Sequence, residues 1–375
     1  MNSEFKTILV RSPNWIGDVV LSYPFFHFLR RAYPRARIVS VCVPWVESVQ
    51  FRNLVDDVIV LPKLYQRTFS ARWSNLEEAA NLVRSRGPWD MGIVLPDSFS
   101  SAWIFMRAGV RVRRGFRADG RGLFLNQAIR PNAAVERHRA DSYLDLLPES
   151  AKIGGGLNSG AQAFWGVPPE NDLDPGIPGV LPRFDAGSAW PAGEEAIPPP
   201  EGPYWVLAPG SLAESRRWPI ENFARLAREV VRETGWTGVI VGGVQETAIA
   251  DALLEDPALK LIDRTAQGGI PALSRLLTGA RFTVSNDSGL AHVASLCGSP
   301  VQLIWGAGDP KRTSPLGPGR VRILFNPVDC WPCERNTCLH ARAVAPERWL
   351  ACLKGIQASA VWEEINSGII SKPRG

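Results

Sequence analysis

The sequence predicts an α/β fold made of two doubly wound, Rossmann-like halves. Three observations carry the prediction. Short continuous apolar runs alternate with helical patterns towards both ends of the chain. The runs lack the in–out alternation of a half-exposed strand, and a stretch rich in Pro and Gly divides the two series. Continuous apolar runs suit strands covered on both faces, the situation of a parallel sheet between helical layers. Such halves bind ligands at the carboxyl ends of their strands, and two of them leave a cleft between.

Composition removes most rivals. The chain has 375 residues, room for two or three domains, with 45% hydrophobic and 21% charged residues, so disordered and fibrous classes are excluded. A net charge of +5 is too small to argue for nucleic acid, though it suits an anionic substrate. A membrane helix needs about 20 continuous apolar residues, and no such run occurs. The first residues lack the apolar centre of a secretion signal. Of six cysteines, Cys42 and Cys297 are isolated and four follow residue 329, unlike a secreted disulfide framework. The expected location is the cytoplasm.

The first series opens with a strand over 7–10 that ends in Ser12-Pro13-Asn14, followed by a helix over 18–32. Strands are expected over 38–43, 58–61 and 91–95, with a helix over 76–84. The pattern fades over 152–203, which holds Gly154-Gly155-Gly156, Pro168-Pro169 and Pro198-Pro199-Pro200 and is read as irregular. It then resumes with strands over 204–208, 238–241, 261–262, 282–285 and 301–305. Helices are expected over 220–234, 245–254, 270–277 and 289–296. The predicted domains are therefore 1–185, a Pro-rich linker over 186–203, a second unit over 204–345, and a helical segment over 346–375.

Three blocks can carry chemistry, each in a turn between a strand and a helix. In Ser12-Pro13-Asn14-Trp15-Ile16-Gly17-Asp18, Asp18 either caps the next helix or faces the cleft as a carboxylate able to take a proton from a hydroxyl. In Pro209-Gly210-Ser211 followed by Arg216-Arg217-Trp218-Pro219, a Gly turn and two cations before a helix suit a diphosphate. In Asn286-Asp287-Ser288-Gly289-Leu290-Ala291-His292, the polar turn is a strong helix cap and equally an anion seat. His292 lies one turn inside, on the side of Ser288. No G-x-G-x-x-G follows a predicted strand, which disfavours a dinucleotide-dependent dehydrogenase.

These blocks, with Leu95-Pro96-Asp97-Ser98-Phe99-Ser100-Ser101-Ala102, occur in one order across most of the chain, and in that order the sequence resembles the ADP-heptose:lipopolysaccharide heptosyltransferases of glycosyltransferase family 9, most closely their heptosyltransferase II branch. The resemblance implies a GT-B glycosyltransferase fold, with the acceptor on the N-terminal half and the nucleotide sugar on the C-terminal half. It implies inverting transfer of L-glycero-D-manno-heptose from ADP-heptose to a lipid A–Kdo–heptose acceptor, without a metal or other cofactor. Asp18 matches the family's proposed base. Gly210, Ser211, Arg216, Asp287, Ser288, Gly289 and His292 match the donor site, Arg216 standing where relatives often carry Lys. Glu246 matches the residue that binds the ribose, with Gln245 competing for that alignment. Asn14, Ser98, Arg114, Arg117 and His138 are the expected acceptor contacts, with Tyr143 beside them. A heptosyltransferase for another acceptor and a nucleotide-sugar binder without turnover are the alternatives.

Two further features belong to this reading. Arg107, Arg111, Arg113, Arg114, Arg117, Arg121, Arg130, Arg137 and Arg139 face only Asp119 and Glu136 in sequence, a basic run suited to the carboxylates and phosphates of inner-core glycan. The same face would hold the protein against an anionic inner leaflet. Cys330-Trp331-Pro332-Cys333, then Cys338, His340 and Cys352, have spacing that suits zinc or an iron–sulfur centre. Reduced thiols or a Cys333–Cys338 pair are the favoured expectation.

Overall fold

The computed structural model describes residues 5–63, 69–131, 137–151, 184–190, 196–340 and 342–370. Glu136 and most of the 152–203 stretch lie outside these residues. The chain divides into two compact units, Met1–Pro191 and Ala192–Gly375.

The first unit is built on six parallel strands: β1 Thr7–Arg11, β2 Arg37–Cys42, β3 Asp57–Val60, β4 Met91–Val94, β5 Val112–Phe116 and β6 Gln127–Ile129. They lie in the order β3-β2-β1-β4-β5-β6, the doubly wound arrangement with its switch point between β1 and β4. Ile8 pairs with Ile38 on one side and Met91 on the other, so the centre of β1 is closed from both edges and both faces. That explains its unbroken apolar run. Val39, Ile59 and Val94 pack with Ala79, Val83 and Phe105 of the covering helices.

The helix expected over 18–32 is two helices, Ile16–Leu21 and Tyr23–Ala32, parted at Ser22. Pro24 is the cause. It cannot donate to a preceding carbonyl and its ring clashes with one, so it is accommodated in a new first turn. Strands β5 and β6 went unpredicted because the first reads Val-Arg-Arg-Gly-Phe and the second is three residues long.

The second unit repeats the wiring. Its strands are β7 Tyr204–Ala208, β8 Thr237–Ile240, β9 Leu261–Asp263, β10 Thr283–Asn286, β11 Val301–Trp305 and β12 Val321–Phe325. The order is β12-β11-β10-β7-β8-β9, so the switch point falls between β7 and β10. Helix Ile220–Thr234 buries Phe223, Leu226, Ala227 and Val230 at helical spacing and ends at Gly235, whose φ of 69° is the left-handed stop that glycine adopts without strain. The C-terminal helices Ala351–Lys354 and Ala358–Ile365 add Leu353, Val361 and Ile365 to the same core. The described ends of the expected irregular stretch are packed. Helix Ala186–Ala189 leads to a buried Trp190 in the first unit, and Ile197 N–H donates to Ala272 O in the second. Among the described residues no helix is long and apolar enough to cross a membrane.

Candidate functional site

In the first unit, the turn after β1 is fixed from beneath. Arg11 is completely buried, and its guanidinium donates to Asn14 Oδ1 (2.6 Å) and Val41 O (3.2 Å). Burial pulls its pKa down to about 10, which leaves it charged at neutral pH. Asn14 is thus part of the scaffold of the turn. The cap position of the next helix falls on Trp15, so Asp18 lies inside the first turn, where the helix dipole favours its charge. Its side chain is about one quarter exposed, with Arg139 Nε 4.0 Å from Oδ1.

Arg139 also lies 3.9 Å from Asp97 Oδ2, and Asp97 Oδ1 is held by the buried Arg121. Arg121 donates as well to the carbonyls of Pro96 and Phe116. A line of alternating charge, Asp18–Arg139–Asp97–Arg121, therefore runs across the ends of β1 and β4. Tyr143 is buried against it, its phenol pushed well up by burial and further by Asp18 and Asp97, so it stays protonated. Ser98 caps the helix Phe99–Arg107, its Oγ accepting from Ser101 N–H at 3.3 Å. His138 caps the helix Arg139–Asp145 with Nδ1 accepting from Ala140 N–H. In sequence alone Asp97 belongs to the Leu95–Ala102 block without a role of its own, and Arg121 and Arg139 belong to the basic run. A carboxylate just past a central strand was the available signal.

In the second unit, the carboxyl ends of β8, β7 and β10 bring the predicted donor residues together. Ser211 Oγ donates to Asp287 O (3.2 Å), and Asn286 Nδ2 to Pro209 O (2.6 Å), tying the β7 turn to the β10 turn. Arg216 lies in a short 3-10 turn, Glu214–Arg216, with Nη1 3.2 Å from Asp287 Oδ2. Asp287 is 5% exposed; burial raises its pKa and Arg216 opposes the shift. Arg217 is exposed and donates instead to Ser211 O, so only one of the two adjacent arginines reaches the turn of β10. Ser288 precedes the helix Gly289–Leu296 without capping it through its side chain, which leaves first-turn N–H groups available to an anion. His292 is buried one turn in.

Glu246 sits in the β8 turn, Oε2 accepting from Gly243 N–H at 2.8 Å. A Cβ on Gly210 would lie 2.6 Å from its carboxyl group, so Gly210 is the space that Glu246 occupies. Gln245 is exposed. The site thus gathers a cation, a helix start and a carboxylate at the switch point of the sheet, the components that a nucleoside diphosphate engages.

The glycosyltransferase family 9 (heptosyltransferase) pattern matches residues 83–343. The chain belongs to that family. It is 28% identical over 327 residues to the lipooligosaccharide heptosyltransferase 2 of Haemophilus ducreyi, covering 84% of this chain and 88% of that one. To the lipopolysaccharide heptosyltransferase 2 of Escherichia coli it is 24% identical over 316 residues, covering 82% and 85%. The solved structure of the E. coli ADP-heptose lipopolysaccharide heptosyltransferase II superposes with a TM-score of 0.68 at 21% identity, over 97% of this chain and 99% of that one. The two-Rossmann GT-B fold expected from the sequence is that of this family 9 glycosyltransferase.

The basic run needs correction as a single solvated face. Arg121 is fully buried, and Arg114, in the middle of β5, donates to Leu146 O (2.8 Å) and Leu147 O (3.0 Å). Arg107, Arg111 and Arg137 pair with Glu77, Asp90 and Asp145. Arg117 and Arg130 are exposed just past the ends of β5 and β6. A Cys333–Cys338 pair is not formed: all six cysteines are free thiols. Among the described residues no group of three or more His, Cys, Asp or Glu is placed to hold a metal ion. Burial and the neighbouring Cys333, Cys338 and Cys330 push the Cys352 thiol up to about 11. The segment packs against the turns that follow β7 and β11: Ser215 N–H donates to Asn336 O, Glu334 N–H to Ala307 O, and Trp331 Nε1 to Gly306 O.

Proposed function

We propose that this protein is an inverting heptosyltransferase that moves L-glycero-D-manno-heptose from ADP-heptose to the first heptose of the lipopolysaccharide inner core. The N-terminal unit takes the lipid A–Kdo–heptose acceptor and the C-terminal unit takes the nucleotide sugar. The observation that carries the reading is the Asp18 constellation: a partly exposed carboxylate at a switch point, flanked by one arginine that a second carboxylate also holds. Similarity to proteins named heptosyltransferase 2 over more than four fifths of the chain supports the substrate pair.

In the reaction Asp18 accepts the proton of the attacking hydroxyl as its oxygen bonds to the anomeric carbon, and the bond to the diphosphate breaks from the opposite face. The leaving diphosphate gains charge at that moment. Arg216 and the first N–H groups of Gly289–Leu296 oppose it, with Ser288 as a hydroxyl donor and Ser211 holding the β7 turn against the β10 turn. Glu246 accepts from the ribose hydroxyls. Asp287 keeps Arg216 at the helix start, and His292 lines the heptose side. Asn14, Ser98, Arg117 and His138 shape the acceptor side; Arg114 supports it through the Leu146 and Leu147 carbonyls. Exposed Arg117 and Arg130 suit contact with the anionic cytoplasmic face of the inner membrane.

The test is transfer from ADP-heptose to two truncated lipopolysaccharides, one ending in Kdo and one bearing a single heptose, with and without chelator. Transfer to the heptose-bearing acceptor alone, unaffected by chelator and lost in Asp18→Asn while ADP still binds, is expected. Transfer to the Kdo acceptor moves the enzyme to the first-heptose step. ADP binding without transfer to either sinks the lipopolysaccharide reading.

A further inference from the structure

We propose that Trp15, Trp45 and Phe99 form a stacking platform for the pyranose rings of an anionic acceptor glycan. The proposal deepens the reading above, since it rests on the acceptor being taken by the N-terminal unit. The three side chains follow three neighbouring strands: Trp45 lies in the turn after β2, Trp15 in the turn after β1, and Phe99 opens the helix after β4. They are 55%, 60% and 48% exposed, whereas Phe25, Phe26, Phe51 and Phe105 of the same unit are almost completely buried. The unit therefore has a core that accepts aromatic rings, and these three are left outside it.

Two of the rings are held in place. Trp45 Nε1 donates to Asn14 O at 2.7 Å, in the turn that carries Trp15. Its polar edge is thereby used, and what it presents to solvent is apolar ring surface. Phe99 stands edge-on to Phe124, with ring centroids 4.9 Å apart and planes at 84°. A pyranose has a face of C–H groups and a rim of hydroxyls, which matches fixed aromatic faces bordered by polar groups. Those borders are present: Asp18 follows Trp15 by three residues, Ser98 adjoins Phe99, and Arg117 and Arg139 supply positive charge at the same sheet edge. The cations commit the occupant to a glycan carrying carboxylate or phosphate.

The probe is the lipid-free heptosyl–Kdo oligosaccharide, with KM for acceptor and donor and Kd for ADP measured on the full chain. Trp15→Ala and Trp45→Ala are each expected to raise the acceptor KM roughly tenfold. Donor KM, ADP affinity and melting temperature should stay put. Trp45→Phe, which keeps a ring but loses the bond to Asn14, should lie closer to the native enzyme than Trp45→Ala. Unchanged acceptor KM in both alanine variants overturns the platform, including the case where only binding to anionic phospholipid vesicles falls, which would make the rings a leaflet anchor. If the native enzyme neither binds nor uses the oligosaccharide, the acceptor assignment itself fails, and the platform with it.

Discussion

Glycines at two turns of the second unit show how one added methyl group separates function from stability. At Gly210 it would meet the end of the flexible Glu246 side chain, which can swing away; at Gly306 it would lie 2.2 Å from the backbone carbonyl of Ser215, which cannot. Gly210→Ala is therefore expected to leave stability within about 0.5 kcal/mol and to raise the KM for ADP-heptose, because the displaced carboxylate no longer addresses the ribose. Gly306→Ala should cost about 1–3 kcal/mol in denaturant unfolding. Equal losses of stability in the two would contradict the role given to Glu246. The residue types at these turns were legible in the sequence: Asp18, Gly210, Arg216 and Asp287 all stood out at strand ends. Two of their partners were not, because Arg139 and Arg121 reach their sites through contacts far away in the sequence that no local pattern encodes.

At the level of elements, the strands with continuous apolar runs were legible, whereas β5 and the edge strands β6 and β12 were not. A strand such as Val112–Phe116 is half exposed, and its arginines mask the period that burial would impose. An arginine beyond its end then determines how it is anchored. Arg121 ties β4 to the turn after β5 through Pro96 O, Asp97 and Phe116 O, all from a side chain with no exposed surface. Arg121→Met should cost about 1–3 kcal/mol, since it removes the donor to the buried Phe116 carbonyl, and it should lower transfer by releasing Asp97. A drop in activity without loss of stability would mean that Arg121 acts on ligand directly. Helix Tyr23–Ala32 carries a pH signature as well. Burial and Arg31 push the His27 imidazole down to about 4. The folded chain thus keeps His27 neutral where the unfolded chain protonates it from about pH 6.5, and stability should fall as pH drops through the window between those values. His27→Gln should flatten that part of the stability profile; an unchanged slope would assign it to other groups.

Across the whole molecule, the residues proposed to hold the donor all lie in the second unit, so nucleotide should stabilise that unit. ADP at a hundred times its Kd is expected to add about 2.7 kcal/mol to the native protein and to Asp18→Asn alike. Arg216→Ala should need far more ADP for the same shift. If melting resolves two transitions, only the one belonging to residues 192–375 should move; a shift confined to the other would reverse the assignment of substrates to units. The presence of two Rossmann-like halves was visible in the sequence, but the identical strand order of the two sheets was not, because the halves share no sequence repeat.

That wiring also dictates when each half can be completed during synthesis. In both sheets the first strand made lies at the centre, and one of its two partners arrives long afterwards: Ile8 waits for Met91, and Val206 for Thr283. Until the later strand leaves the ribosome, one edge of the central strand is open, with its backbone groups and apolar side chains uncovered. A growing chain of this protein therefore passes twice through an interval in which a central apolar strand lacks a neighbour, and those two intervals are where a chaperone has the most to protect.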